Sequence, residues 1–185
     1  HVGAYVEMLI SSLIGLVASL ILSIEAITLA TNPAAVLSCD ISSKISCGVV
    51  AQTWQAQLFG WPNSFLGLIA EPVVITVAVA ALGGVRFPRW FMLTAQAIYT
   101  LGFLFAWWLF YQSYFVIGAL CPWCLLITIT TTLVFMSMSR VNILDGNFGA
   151  GITRALTPAL SWWVDVWVSV LIIAALAAAV IFRYL

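Results

Sequence analysis

The sequence predicts an all-α membrane protein: a polytopic bundle of five transmembrane helices, a four-helix core plus a fifth, with an external loop and a short amphipathic lid helix. Three observations predict it. Of 185 residues, 64% are apolar, against only six basic and six acidic side chains. Several apolar runs approach or exceed the roughly twenty residues that span a bilayer. The runs do not alternate as barrel strands would, and backbone in lipid otherwise satisfies its hydrogen bonds only within helices. One integral membrane domain over residues 1–185 is expected, surrounded by membrane lipid and without a nucleic-acid partner. The chain opens on His1 rather than Met, which implies that its natural start lies upstream, and no signal-peptide pattern is visible.

The spans fall at 6–30, 64–82, 90–117, 122–139 and 162–182. The 83–89 connection carries Arg86 and Arg89, and the 140–161 connection carries Arg140 and Arg154, four of the six basic residues. Five alternating helices put both connections on one side, and the excess of positive charge makes that side cytoplasmic. Cys39, Cys47, Cys121 and Cys124 then all face the other, oxidising side. Trp54, Trp61 and Trp123 near the outer boundary, and Trp90, Trp162 and Trp163 near the inner one, read as an aromatic belt. The Gly-rich stretch 145–151 follows no strand and matches no phosphate-binding pattern, so it is expected to be a cytoplasmic loop.

The external redox loop, 31–63, divides in two. Asn32-Pro33 breaks the first helix, and the segment from Cys39-Asp40 to Cys47 is small and polar, with serines that hydrogen-bond locally. Asp40 is expected to be solvated. From about Gly48, Val50, Trp54, Leu58 and Trp61 recur at helical spacing against Gln52, Gln55 and Gln57. That pattern predicts a short amphipathic helix on the bilayer surface, a lid over the outer end of the bundle.

Cys121-Pro122-Trp123-Cys124 heads the fourth span. Proline suits the first helical turn, so Cys121 is placed at the cap with Cys124 three residues on along the same face. A helix N-terminus favours thiolate, the form that attacks disulfides, and the pair reads as redox chemistry. Inert apolar cysteines and a four-thiolate zinc site are the competing readings. Zinc is disfavoured by the seven residues between Cys39 and Cys47 and by a single His at position 1, so no metal is assigned. Cys39 and Cys47 could staple their loop, closing a ring worth about 2.6 kcal/mol in the chain-entropy model. A mobile pair that opens, closes and swaps partners is the favoured alternative. Thiols that oxidise others must pass electrons on, and no haem, flavin or iron–sulfur pattern is present. A lipid-soluble quinone is the plausible sink: a glutathione pool near about −200 mV lies uphill from a donor as oxidising as about −120 mV.

Two carboxylates lie within spans, where charge is costly. Glu25 is close to the outer end of the first span. Glu71, beside Pro72 in the second, either hydrogen-bonds between helices or relays protons.

The order of these motifs resembles the vitamin K epoxide reductase family: Cys39-Asp40, the gap to Cys47, Pro62-Asn63-Ser64 with Gly67, then the CxxC pair at the head of the fourth span. The resemblance covers roughly residues 10–140, and the fifth span and Cys-Pro-Trp-Cys are closer to bacterial members than to animal ones. It implies that Cys124 reacts with the quinone, that Cys121 is its partner, that Cys47 exchanges with Cys121, and that Cys39 meets the external substrate. Asn63 is implied as a hydrogen-bonding group at the quinone, with Val50, Ser64, Leu66 and Thr128 as further contacts. Where animal members carry a Tyr, this chain has Thr128, which puts epoxide reduction in doubt. The implied activity is a quinone-dependent thiol–disulfide oxidoreductase in a bacterial plasma membrane. It would oxidise an extracytoplasmic thioredoxin-like (DsbA-like) protein, in support of disulfide bond formation, with menaquinone, ubiquinone or vitamin K as acceptor. Vitamin K quinone or epoxide reduction, and a structural membrane protein with stapling or metal-binding cysteines, are the alternatives.

Overall fold

The computed structural model describes residues 1–184. Among them, five helices are long and apolar enough to cross a membrane. These are α1 (Val2–Thr31), α3 (Ser64–Leu82), α4 (Arg89–Tyr111, extended by a π-helical turn Gln112–Ile117), α5 (Pro122–Leu144) and α7 (Val164–Tyr184). Two shorter helices complete the set, α2 (Cys47–Ala51) and α6 (Ala150–Ser161). The described residues form no strand, only an isolated parallel bridge between Ile45 and Leu120.

In lipid, apolar surface alone does not draw helices together, and close approach of backbones must supply the packing. Helix α1 is built for this, burying Ser12, Gly15, Ser19 and Ser23 against α3 and α5. Gly67 of α3 lies against Ser19, where a Cβ would sit only 2.8 Å from the Ser19 Cβ. The buried Ser23 hydroxyl is satisfied, bonding Ser19 O at 2.7 Å and Ser64 Oγ at 2.9 Å. Helix α5 is central, touching α1, α4, α6 and α7 and burying Thr132, Val134, Met138 and Val141.

The end of the bundle away from the cysteines is tied by polar contacts. Arg140 bonds both oxygens of Asp165 and lies 4.9 Å from the Trp163 ring centre, and Arg89 Nε donates to Asn147 O at 2.7 Å. Two departures from expectation lie at this end, and polar contacts account for the first. Helix α5 continues past 139 to Leu144, because Arg140 and Asn142 find partners inside the protein. The stretch expected as a loop, 140–161, contains α6.

The lid also differs. It is not one amphipathic helix but α2 followed by a 3-10 turn, Trp54–Gln57, with extended backbone at Thr53 between them. The Thr53 hydroxyl donates to Val50 O at 2.7 Å, closing off α2. The break rotates the second half, so that Gln55 is buried and donates to Gln112 while Trp54 is 64% exposed and packs on Trp108. Phe59 and Phe105 extend this aromatic contact between lid and α4.

Candidate redox site

The turn before α5 sets the dithiol. Cys121 caps the helix in extended conformation, Pro122 takes the first helical position, and the Cys124 N–H donates to Cys121 Sγ at 3.2 Å. Negative charge developing on Cys121 during exchange therefore meets an N–H at a helix N-terminus. Cys121 and Cys124 are free thiols.

Cys39 and Cys47 are joined as a disulfide, with Cα atoms 5.6 Å apart. Two devices hold this loop onto the dithiol. The Leu120 N–H donates to Lys44 O at 2.8 Å and the Ser46 N–H to Leu120 O at 2.9 Å, which zips the loop to the residue preceding Cys121. Asp40, expected to be solvated, instead accepts from the Ser46 hydroxyl at 2.6 Å and from the Leu37 and Gly48 N–H groups at 2.9 Å. Burial works to raise the Asp40 pKa, but the hydrogen bonds from Ser46, Gly48, Leu37 and Cys47 outweigh it and leave the carboxyl below its usual 3.8. Cys47 Sγ thereby comes to rest 3.4 Å from Cys121 Sγ. Leu29, Leu37, Val50 and Ala119 enclose the sulfurs, and Cys39, Cys47 and Cys121 are each at most 5% exposed.

An apolar cavity of about 670 Å³ opens below these sulfurs. Val50, Asn63, Ser64, Leu66 and Thr128 all line it, together with Glu71, Cys47, Cys121 and Cys124; Cys39 does not. The residues suit a quinone. The walls are apolar with a few convergent polar atoms. The Asn63 Nδ2 donates to Gln55 O at 2.6 Å, which leaves its Oδ1 buried without a partner, an acceptor suited to a hydroxyl of the reduced ring. The Thr128 hydroxyl is less available, since it donates to Cys124 O at 3.0 Å within its own helix. Deeper in, Glu71 Oε1 accepts from the Tyr99 hydroxyl at 3.2 Å, while Oε2 is buried and unpaired.

Two groups at the site went unassigned in the sequence, Glu25 as a neighbour of Cys39 and Tyr99 as the partner of Glu71. Glu25 was conspicuous as a carboxylate within a span, but nothing in the sequence pairs it with a thiol fourteen residues away.

A closed disulfide against a free dithiol, at one end of an apolar cavity in a helical membrane bundle, is an arrangement suited to thiol–disulfide exchange. The chain belongs to the Vitamin K epoxide reductase family, whose sequence model it matches over residues 6–139; its members are quinone-linked. Helix α6 and α7 lie beyond the matched segment. A comparison with curated proteins returned no match.

Proposed function

We propose that this protein oxidises a thioredoxin-like (DsbA-like) protein outside the cytoplasm and passes the electrons to a membrane quinone, as a bacterial-type member of its family. The observation that carries the reading is the 3.4 Å separation of Cys47 Sγ and Cys121 Sγ, one sulfur of each pair. Each transfer is a thiolate displacing a thiol. The reduced partner opens the Cys39–Cys47 disulfide; Cys47 then attacks Cys121 of an oxidised Cys121–Cys124 pair, and Cys124 leaves. Cys39 displaces Cys121 from Cys47, which restores the loop disulfide and the dithiol. Because Cys39 is 5% exposed, the partner reaches it only when the loop lifts from the bundle.

A bound quinone supplies the sink for two electrons and two protons. Cys124, Asn63 and Thr128 would flank it, the apolar walls would hold its ring, and the lid would exclude water. Glu71 serves as a proton-exchanging group at depth. Reduction of an epoxide is disfavoured because the Thr128 hydroxyl is already committed to a backbone carbonyl.

The test uses purified protein mixed with a reduced thioredoxin-like protein while quinone absorbance is followed. Wild type consumes quinone, and Cys47→Ala and Cys121→Ala, both still folded, do not. A Cys47→Ala variant that turns over at the wild-type rate would make the loop disulfide a staple and send the substrate directly to Cys121.

A further inference from the structure

Glu25 is the buried carboxylate at the thiol end to which the relay gives no task. It is 8% exposed, inside the apolar surroundings of the loop disulfide. The two ion pairs among the described residues, His1–Asp145 and Arg140–Asp165, do not involve it. Instead the Ser38 hydroxyl donates to Oε1 at 2.7 Å, and Oε2 lies 3.4 Å from Cys39 Sγ. A carboxylate held at hydrogen-bonding distance from a sulfur, with its other oxygen anchored by a neighbour of that cysteine, has the placement of a general base for the thiol.

We propose that Glu25 accepts the Cys39 proton in the step that closes the loop disulfide, an inference that rests on the relay set out above. In that step Cys47 is bonded to Cys121 and Cys39 is a thiol. The Cys39 S–H proton passes to Glu25 Oε2, the resulting thiolate attacks Cys47 Sγ, and the Cys47–Cys121 bond breaks. Cys121 departs with the electron pair as a thiolate facing the Cys124 N–H. One disulfide replaces another, no electrons leave the protein, and the proton rests on Glu25. The observed arrangement is the product side of this exchange: Cys39 and Cys47 are joined, and Cys121 Sγ lies 3.4 Å from the sulfur it has left.

The experiment follows disulfides in the intact chain. Fully reduced protein in detergent is mixed with an excess of a short-chain, fully ring-substituted benzoquinone and quenched with N-ethylmaleimide at intervals. Its bonds are then read by mass spectrometry of unreduced peptides. Cys39→Ala is the reference and holds the Cys47–Cys121 disulfide; if it does not, the relay itself fails, and this inference with it. With that species trapped, Glu25→Gln forms it at the wild-type rate but closes the Cys39–Cys47 bond about a hundredfold more slowly, the scale of a lost general base. Closure at the wild-type rate overturns the proposal. Should Glu25→Gln fail to fold, Glu25→Asp decides. It keeps a carboxylate but withdraws it by one methylene, so closure slows about tenfold with formation unchanged; unchanged closure overturns the proposal there too.

Discussion

Asp40 does more for the site than its place beside a cysteine suggested. Ser46, Gly48, Leu37 and Cys47 all donate to its carboxylate, and through Ser46 and Gly48 these bonds fix the start of α2, hence the position of Cys47. Because those donors favour the charged form, the native pKa lies below the unfolded one. The sign follows: the loop's stabilisation is fully present above the unfolded value of 3.8 and is lost as pH falls through the lowered native value. Asp40→Asn keeps one acceptor but loses the charge, at a cost of about 1–2 kcal/mol. Amide exchange at Gly48 should then accelerate by about tenfold, as 1.4 kcal/mol is a factor of ten. Exchange at the wild-type rate would mean that the bridge to Leu120 holds the loop unaided. The helix-start context of Cys121 and Cys124 was legible from their spacing, and the topology put all four cysteines at one end. The partners of Asp40 and Glu25 were not, because both depend on how a loop of small polar residues folds back over α1, and that return path leaves no periodicity to read.

Two contacts between helices decide whether the bundle keeps its shape. Gly67 lets α3 approach α1 at Ser19, and a methyl there has no room. Gly67→Ala should lower stability by about 1–3 kcal/mol, read as a lower unfolding temperature in detergent. Insensitivity would mean that the two helices separate without loss. The second contact joins α3 to α4 through Glu71 and Tyr99. Glu71→Gln retains an acceptor for Tyr99 but cannot exchange a proton, so folding should persist while quinone reduction slows severalfold. Wild-type turnover would remove Glu71 from proton handling and leave it as a tie between helices. The long helices were readable because apolar runs of membrane length admit few other structures. The lid departs from the helix its pattern predicts because Val50, Trp54, Leu58 and Trp61 satisfy a helical period that Thr53 interrupts. Helix α6 was hidden by flanking glycines and by Pro158, although Ile152, Leu156 and Leu160 recur every fourth residue and were the signal available.

At the scale of the whole molecule, function depends on which end of the bundle meets the oxidising compartment. Arg86, Arg89, Arg140 and Arg154 lie toward the end opposite the cysteines. Lys44 is in the redox loop, and Arg183 stacks over Tyr114, next to the turn that leads to Cys121. Four basic residues against two favour placing the thiol end outside. Glu25 and Asp40 sit at that same end, but acidic residues contribute little to orientation, so the expectation rests on the arginines. The expectation can be checked with single cysteines in a background lacking the native four, Ser42→Cys in the redox loop and Gly151→Cys in α6, both at exposed positions. In intact cells a membrane-impermeant maleimide should label the Ser42→Cys protein and spare Gly151→Cys until the cells are broken. The reverse pattern would place the Cys39–Cys47 disulfide in a reducing compartment, where glutathione and thioredoxin keep thiols reduced. An oxidase working on an extracytoplasmic partner could not operate from there, however well its sulfurs are aligned.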